Sequence, residues 1–121
     1  MRLIALRGAT TVEANEADAI LVATSELMRE LLSRNRLDAA SIVSCIFTLT
    51  EDLDAEFPAV AARQMGLSRV PLLCAREIPV VGALPRVIRV LMHCYPPVGV
   101  DPQHIYLGEA RKLRLDLEGA Q

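Results

Sequence analysis

The feature that most constrains this chain is a pair of charges set within apolar, strand-forming sequence. Residues 70–94 read VPLLCAREIPVVGALPRVIRVLMHC, two runs rich in Val, Leu and Ile joined by a bend that Pro79, Gly82 and Pro85 punctuate. Glu77 closes the first run, and Arg89 sits inside Val87-Ile88-Arg89-Val90-Leu91-Met92. An unpaired ion in such a setting costs several kcal/mol. Arg89 therefore either has an internal partner, with Glu77 the candidate, or faces a cavity that receives an anion. The residues alone leave both readings open; the ligand-facing one is pursued below.

At 121 residues the chain has the size of one domain, 1–121. Hydrophobic residues make up 52% and aromatics only 3%, with no Trp, so the core is aliphatic and densely branched. The mean hydropathy of +0.31 is high for so small a soluble chain, and surplus apolar surface points to contacts between subunits. A net charge of −2 argues against a nucleic-acid or anionic-membrane surface. No apolar run approaches the roughly 18 residues of a membrane span. Three widely spaced cysteines, Cys45, Cys74 and Cys94, together with an N-terminal apolar patch too short for a secretion signal, point to a reducing cytoplasm. His93 and His104 make no metal-ligand spacing with them, so no metal is expected.

Residues 2–10 alternate as a strand that Gly8 is expected to break. Residues 15–35 form the clearest helix: Asn15 is placed as N-cap, Glu16 and Asp18 suit the positive end, and Ala17, Ile20, Leu21, Thr24, Leu27, Met28, Leu31 and Leu32 repeat at helical spacing. Residues 42–50, with their β-branched content, read as a buried strand. The acidic segment 51–54 lacks calcium-loop spacing and reads as a solvated turn. Residues 57–65 form a short helix with Pro58 in its first turn, ending at Gly66. After the 70–94 section come a Pro-rich loop, a short strand over 104–107 and a charged, partly alternating tail, flexible from about residue 115. The order β-α-β-α-β-β-β implies an α/β (α+β) domain, a mixed five-stranded sheet with helices packed on it.

No catalytic triad is present. Cys74 has no histidine placed to activate it, residues 81–83 lack a phosphate-loop motif, and Lys112, the only lysine, lies in charged sequence unsuited to Schiff-base chemistry. What remains is a set of arginines in apolar contexts (Arg7, Arg89, with Arg63 and Arg114), one glutamate and Tyr106. Such a set binds a small polyanion and stabilises charge without acid–base machinery.

Arg7-Gly8-Ala9-Thr10-Thr11-Val12-Glu13, Phe57-Pro58-Ala59 with Arg63, Cys74-Ala75-Arg76-Glu77, Ile88-Arg89-Val90 and Ile105-Tyr106-Leu107 closely resemble the AroH class of monofunctional chorismate mutases. The order and spacings fit from residue 1 to about 117. The resemblance implies a homotrimer forming a pseudo α/β barrel, with sites at the subunit interfaces. It also implies rearrangement of chorismate to prephenate, in phenylalanine and tyrosine biosynthesis, without cofactor or covalent intermediate. It assigns Arg7 to a substrate carboxylate with Tyr106 assisting, Arg89 to the breaking ether oxygen, and Glu77 to the ring and its hydroxyl. Cys74 would line the same wall as Glu77, while Phe57, Ala59, Arg63, Leu113 and Arg114 would close the pocket, some from a neighbouring subunit. Leu73 is a further pocket position, and it departs from the family pattern, as does Val60. Two rivals stand beside this reading: a trimeric reactive-intermediate deaminase-like protein, and a domain that binds a metabolite without turning it over.

Overall fold

The computed structural model describes residues 2–113. Its elements run β1 (Ile4–Thr11), α1 (Ala17–Arg34), β2 (Ile42–Leu49), α2 (Pro58–Gln64), β3 (Leu72–Arg76), β4 (Val87–Cys94) and β5 (Ile105–Tyr106), in the order that the periodicity implies. The five strands form one mixed sheet with spatial order β3-β2-β4-β1-β5. β4 lies at the centre, antiparallel to both β1 and β2, while β3 joins β2 and β5 joins β1 in parallel.

Strand register sorts side chains between two faces. Leu6, Val90, Met92, Cys45 and Phe47 share one face and are buried with Leu27, Met28 and Leu31 of α1 and Ala59 and Ala62 of α2. The other face bears Arg7, Leu91, Ile46 and Leu73 in one row and Tyr106, Ala9, Arg89, Thr48 and Ala75 in the next. Both helices cover the first face only.

Gly8 does not end β1 as expected, because β1 continues to Thr11. Its role is close approach. A Cβ at Gly8 would lie 2.9 Å from Leu31 Cδ1, 3.0 Å from Val90 Cγ1 and 3.1 Å from Leu27 Cδ1, so the absent side chain is what lets α1 sit down on the sheet. Asn15 likewise does something other than cap. Glu16 occupies the N-cap position without a side-chain bond, and Asn15 Oδ1 accepts from the backbone N–H groups of Asp54 and Ala55, both at 3.0 Å. Its Nδ2 donates to Asp54 Oδ1 at 2.7 Å.

The acidic segment is therefore more than a solvated turn. Asp54 is tied to Asn15, Asp52 accepts from the backbone N–H of Arg86 at 3.0 and 3.2 Å, and Leu53 is buried. These bonds pin the loops at one end of the sheet and compensate the backbone strain of Arg86, which adopts φ 52°.

At the opposite corner, fully buried Asn35 follows α1. Its Nδ2 donates to Leu31 O at 3.0 Å and Gln103 O at 2.9 Å, and its Oδ1 accepts from Gln103 N at 2.8 Å. A buried amide with its bonds filled is tolerated, and here it ties the segment leading into β5 to the helix. Residues 111–113 continue helically from a 3-10 turn at Gly108–Ala110 rather than alternating; the flexible tail expected from about 115 lies outside the described residues. No helix among the described residues is long and apolar enough to cross a membrane.

Gly8→Val should destabilise the fold by about 1–3 kcal/mol through overpacking, read as a lower denaturant midpoint with an unchanged slope; an unchanged midpoint would contradict this packing. Burial, reinforced by neighbouring Cys94, pushes the Cys45 thiol up to about 12, and burial also raises Cys94. Both should therefore resist alkylation in the folded protein at pH 8 and react once it is unfolded, as mass spectrometry of the labelled chain would show.

Candidate active site

On the sheet face opposite α1 and α2 a cavity of about 460 Å³ is lined by Arg7, Gly8, Ala9, Ile46, Thr48, Arg89, Val90, Leu91, Tyr106 and Leu113. It draws on β1, β2, β4 and β5, and its volume is within the usual small-molecule range of roughly 300–1,000 Å³. Arg7, Arg89 and Tyr106 meet there because Ala9 pairs in register with both Arg89 and Tyr106, and Arg7 lies two residues before Ala9 on the same face. Two guanidinium-bearing residues thus face one largely apolar hollow.

Arg89 has both things the sequence offered as alternatives. Its Nε donates to Glu77 at 3.0 Å (Oε2) and 3.2 Å (Oε1), and the same side chain lines the cavity. Glu77 is brought beside it because the chain leaving β3 makes one further ladder bond, from Glu77 N to Leu49 O at 2.9 Å. The Glu77 side chain is 15% exposed and that of Arg89 44%. Thr48, in register with Arg89 on β2, donates its hydroxyl to Glu77 Oε2 at 2.7 Å. No buried side-chain polar atom among the described residues lacks a partner.

The short strand β5 is held at the site by side-chain as well as backbone bonds. Leu107 N donates to Ala9 O at 2.9 Å, and Arg7 N donates to Nδ1 of His104 at 2.9 Å, so the imidazole stands where a ladder carbonyl would. That acceptor role requires Nδ1 to be unprotonated. Leu113, from the segment after β5, also lines the hollow.

The remaining expected site residues are elsewhere in the single chain. Cys74 pairs in register with Phe47, which puts it on the helix-covered face, packed against the core and lining a separate hollow with Phe57 and Arg76. Within one chain it therefore shares no wall with the arginine cavity, because strand alternation sends Cys74 and Leu73 to opposite faces. Leu73 is on the arginine face and 60% exposed. Phe57 is exposed at the start of α2, Arg63 is exposed on that helix, and Ala59 is buried in the core beneath it. Arg114 lies outside the described residues. Thr48 was not singled out by sequence reasoning; its signal was a hydroxyl in an apolar strand at the same parity as Ile46.

No group of three or more His, Cys, Asp or Glu able to hold a metal ion occurs among the described residues. The arrangement is suited to gripping a small anion with two guanidinium groups, one of which has a carboxylate fixed directly beside it.

Comparison with known proteins identifies the family. Chorismate mutase AroH of Thermus thermophilus is 52% identical over 118 residues, covering 96% of this chain and 97% of its own length. Chorismate mutase AroH of Bacillus subtilis is 37% identical over 119 residues, covering 97% and 94%. Among solved structures, a chorismate mutase from Clostridium thermocellum superposes with a TM-score of 0.86 at 46% identity, covering 90% of this chain and 98% of that one. The family description of type I chorismate mutases matches residues 3–117, and the chain belongs to that family.

Proposed function

We propose that the chain rearranges chorismate to prephenate as an isomerase that binds and stabilises charge, using no covalent or acid–base step. The observation that carries this reading is that Arg7 and Arg89 line one hollow while Glu77 holds Arg89 by its Nε. The rearrangement redistributes bonds within one molecule. The C–O bond breaks ahead of C–C bond formation, leaving partial negative charge on the ether oxygen and partial positive charge on the ring. A cation fixed at that oxygen and an anion beside the ring favour this state over the ground state. Arg89 serves as the first and Glu77 as the second; Arg7, with Tyr106, takes a substrate carboxylate. Holding the flexible enolpyruvyl arm over the ring adds an orientation term.

The second half of the site comes from another copy of the chain in a trimer. The uncovered sheet face exposes Leu73 and Leu91, and Leu3 and Phe57 are also exposed; apolar surface of this extent on a two-layer fold calls for a covering layer. Phe57, Arg63, Leu73 and Cys74 lie outside the arginine cavity of their own chain, and in the assembly they face that of a neighbour. Ala59 supports Phe57 from the core, and Arg114 completes the closure.

Purified protein incubated with chorismate should form prephenate. Arg89→Met should lower kcat by about 10²–10³, the usual loss for one preorganised donor, while the thermal midpoint moves far less. A variant with near-native turnover would remove Arg89 from the mechanism. Because no proton is transferred, kcat should stay flat across neutral pH; a bell-shaped profile, measured where chemistry limits the rate, would contradict the scheme.

A further inference from the structure

We propose that Thr48 is a positioning residue whose hydroxyl keeps Glu77 from closing on Arg89 as a two-pronged fork, so that the Nη groups of Arg89 stay directed at the substrate. This rests on the reading of Glu77 and Arg89 given above. The geometry that points to it is the manner in which the pair is joined. A carboxylate meeting a guanidinium unopposed favours two parallel bonds, each oxygen taking its own N–H. Here both hydrogen bonds between Arg89 and Glu77 leave from the same nitrogen, Nε, at 3.0 and 3.2 Å. The shorter of the two goes to Oε2, which is also the oxygen that accepts from Thr48 Oγ1 at 2.7 Å.

Two donors on neighbouring strands thus share one oxygen, which has a lone pair for each. The terminal torsion of a glutamate is broad and roughly two-fold, so a single donor would leave the carboxylate free to swing. The hydroxyl of a β-branched residue in a strand is by contrast held by a restricted χ1. Thr48 sits directly opposite Arg89 in the β2–β4 register and half-buried, which fixes where its oxygen lies. A hydroxyl has the further advantage of being neutral. It restrains the anion without adding a second cation that would weaken the contrast between Arg89 and Glu77.

Thr48→Val keeps the shape and removes the hydroxyl, whereas Thr48→Ser keeps it. With chorismate as substrate, the valine variant should lose about tenfold or more in kcat, the scale set by one hydrogen bond to a charged group, with KM changing by less than about threefold. The serine variant should stay within about threefold of the parent. A crystal structure of the valine variant should show Glu77 bonded to Nε and one Nη of Arg89. The inference is overturned by parental kcat in the valine variant, by equal losses in both variants, by a loss confined to KM, or by an unmoved Glu77. If the valine variant does not fold, Thr48→Ala is read in the same way against serine. Absence of turnover in the parent protein would remove the proposed reaction, while the position of Glu77 in the variant crystal would still decide the role of Thr48.

Discussion

The meeting of Arg89 and Glu77 governs the arrangement around it. An ion pair with one partner this exposed contributes only about 0–1 kcal/mol to folding, so its value lies in direction more than in stability. The guanidinium is held through one nitrogen, Nε, at 3.0 Å, in a side chain that also lines the hollow containing Arg7 and Tyr106. Three strands cooperate in this: β4 supplies the cation, β2 the hydroxyl, and the chain leaving β3 the anion. A free arginine on a sheet face would sample many rotamers; this one is restrained before any ligand arrives, which is what preorganised charge stabilisation demands.

A one-sided sheet is the second condition. α1 and α2 both cover the face of Leu6, Phe47 and Met92, where Gly8 admits α1 at a separation that any side chain would prevent. The opposite face is left open by both, and it carries Arg7, Arg89 and Tyr106. Strand parity then decides which residues belong to which surface, and it places Leu73 and Cys74, adjacent in the chain, on opposite sides of the sheet.

Much of this was legible beforehand. The element order, the α1 residues that are buried and the involvement of Arg7, Arg89 and Tyr106 in one hollow follow from periodicity, from charges in apolar surroundings and from motifs resembling a known family. What escaped is mostly long-range. Asn15 looked like a cap because the pattern ahead of α1 fits one, and nothing local reveals that Asp54 and Ala55 lie across from it. Gly8 looked like a breaker because glycine in a strand is ambiguous until its packing partner is known. Thr48 was passed over because a β-branched residue in a strand needs no explanation until Glu77 is found within hydrogen-bond reach. A salt bridge and a place in a cavity wall coexist at Arg89 where its sequence context offers them as alternatives, since a sequence does not say which of a guanidinium's nitrogens is used.

The central place of β4 has one more consequence. It is bonded along both edges, whereas β5 pairs with a single neighbour over two residues and β3 pairs only with β2 among the described strands. Local opening follows the least-bonded margins. Fluctuations would therefore peel the rim that bears Tyr106 while leaving the backbone under Arg89 in register, so the hollow breathes from its border inward and its charged floor is the last part to loosen.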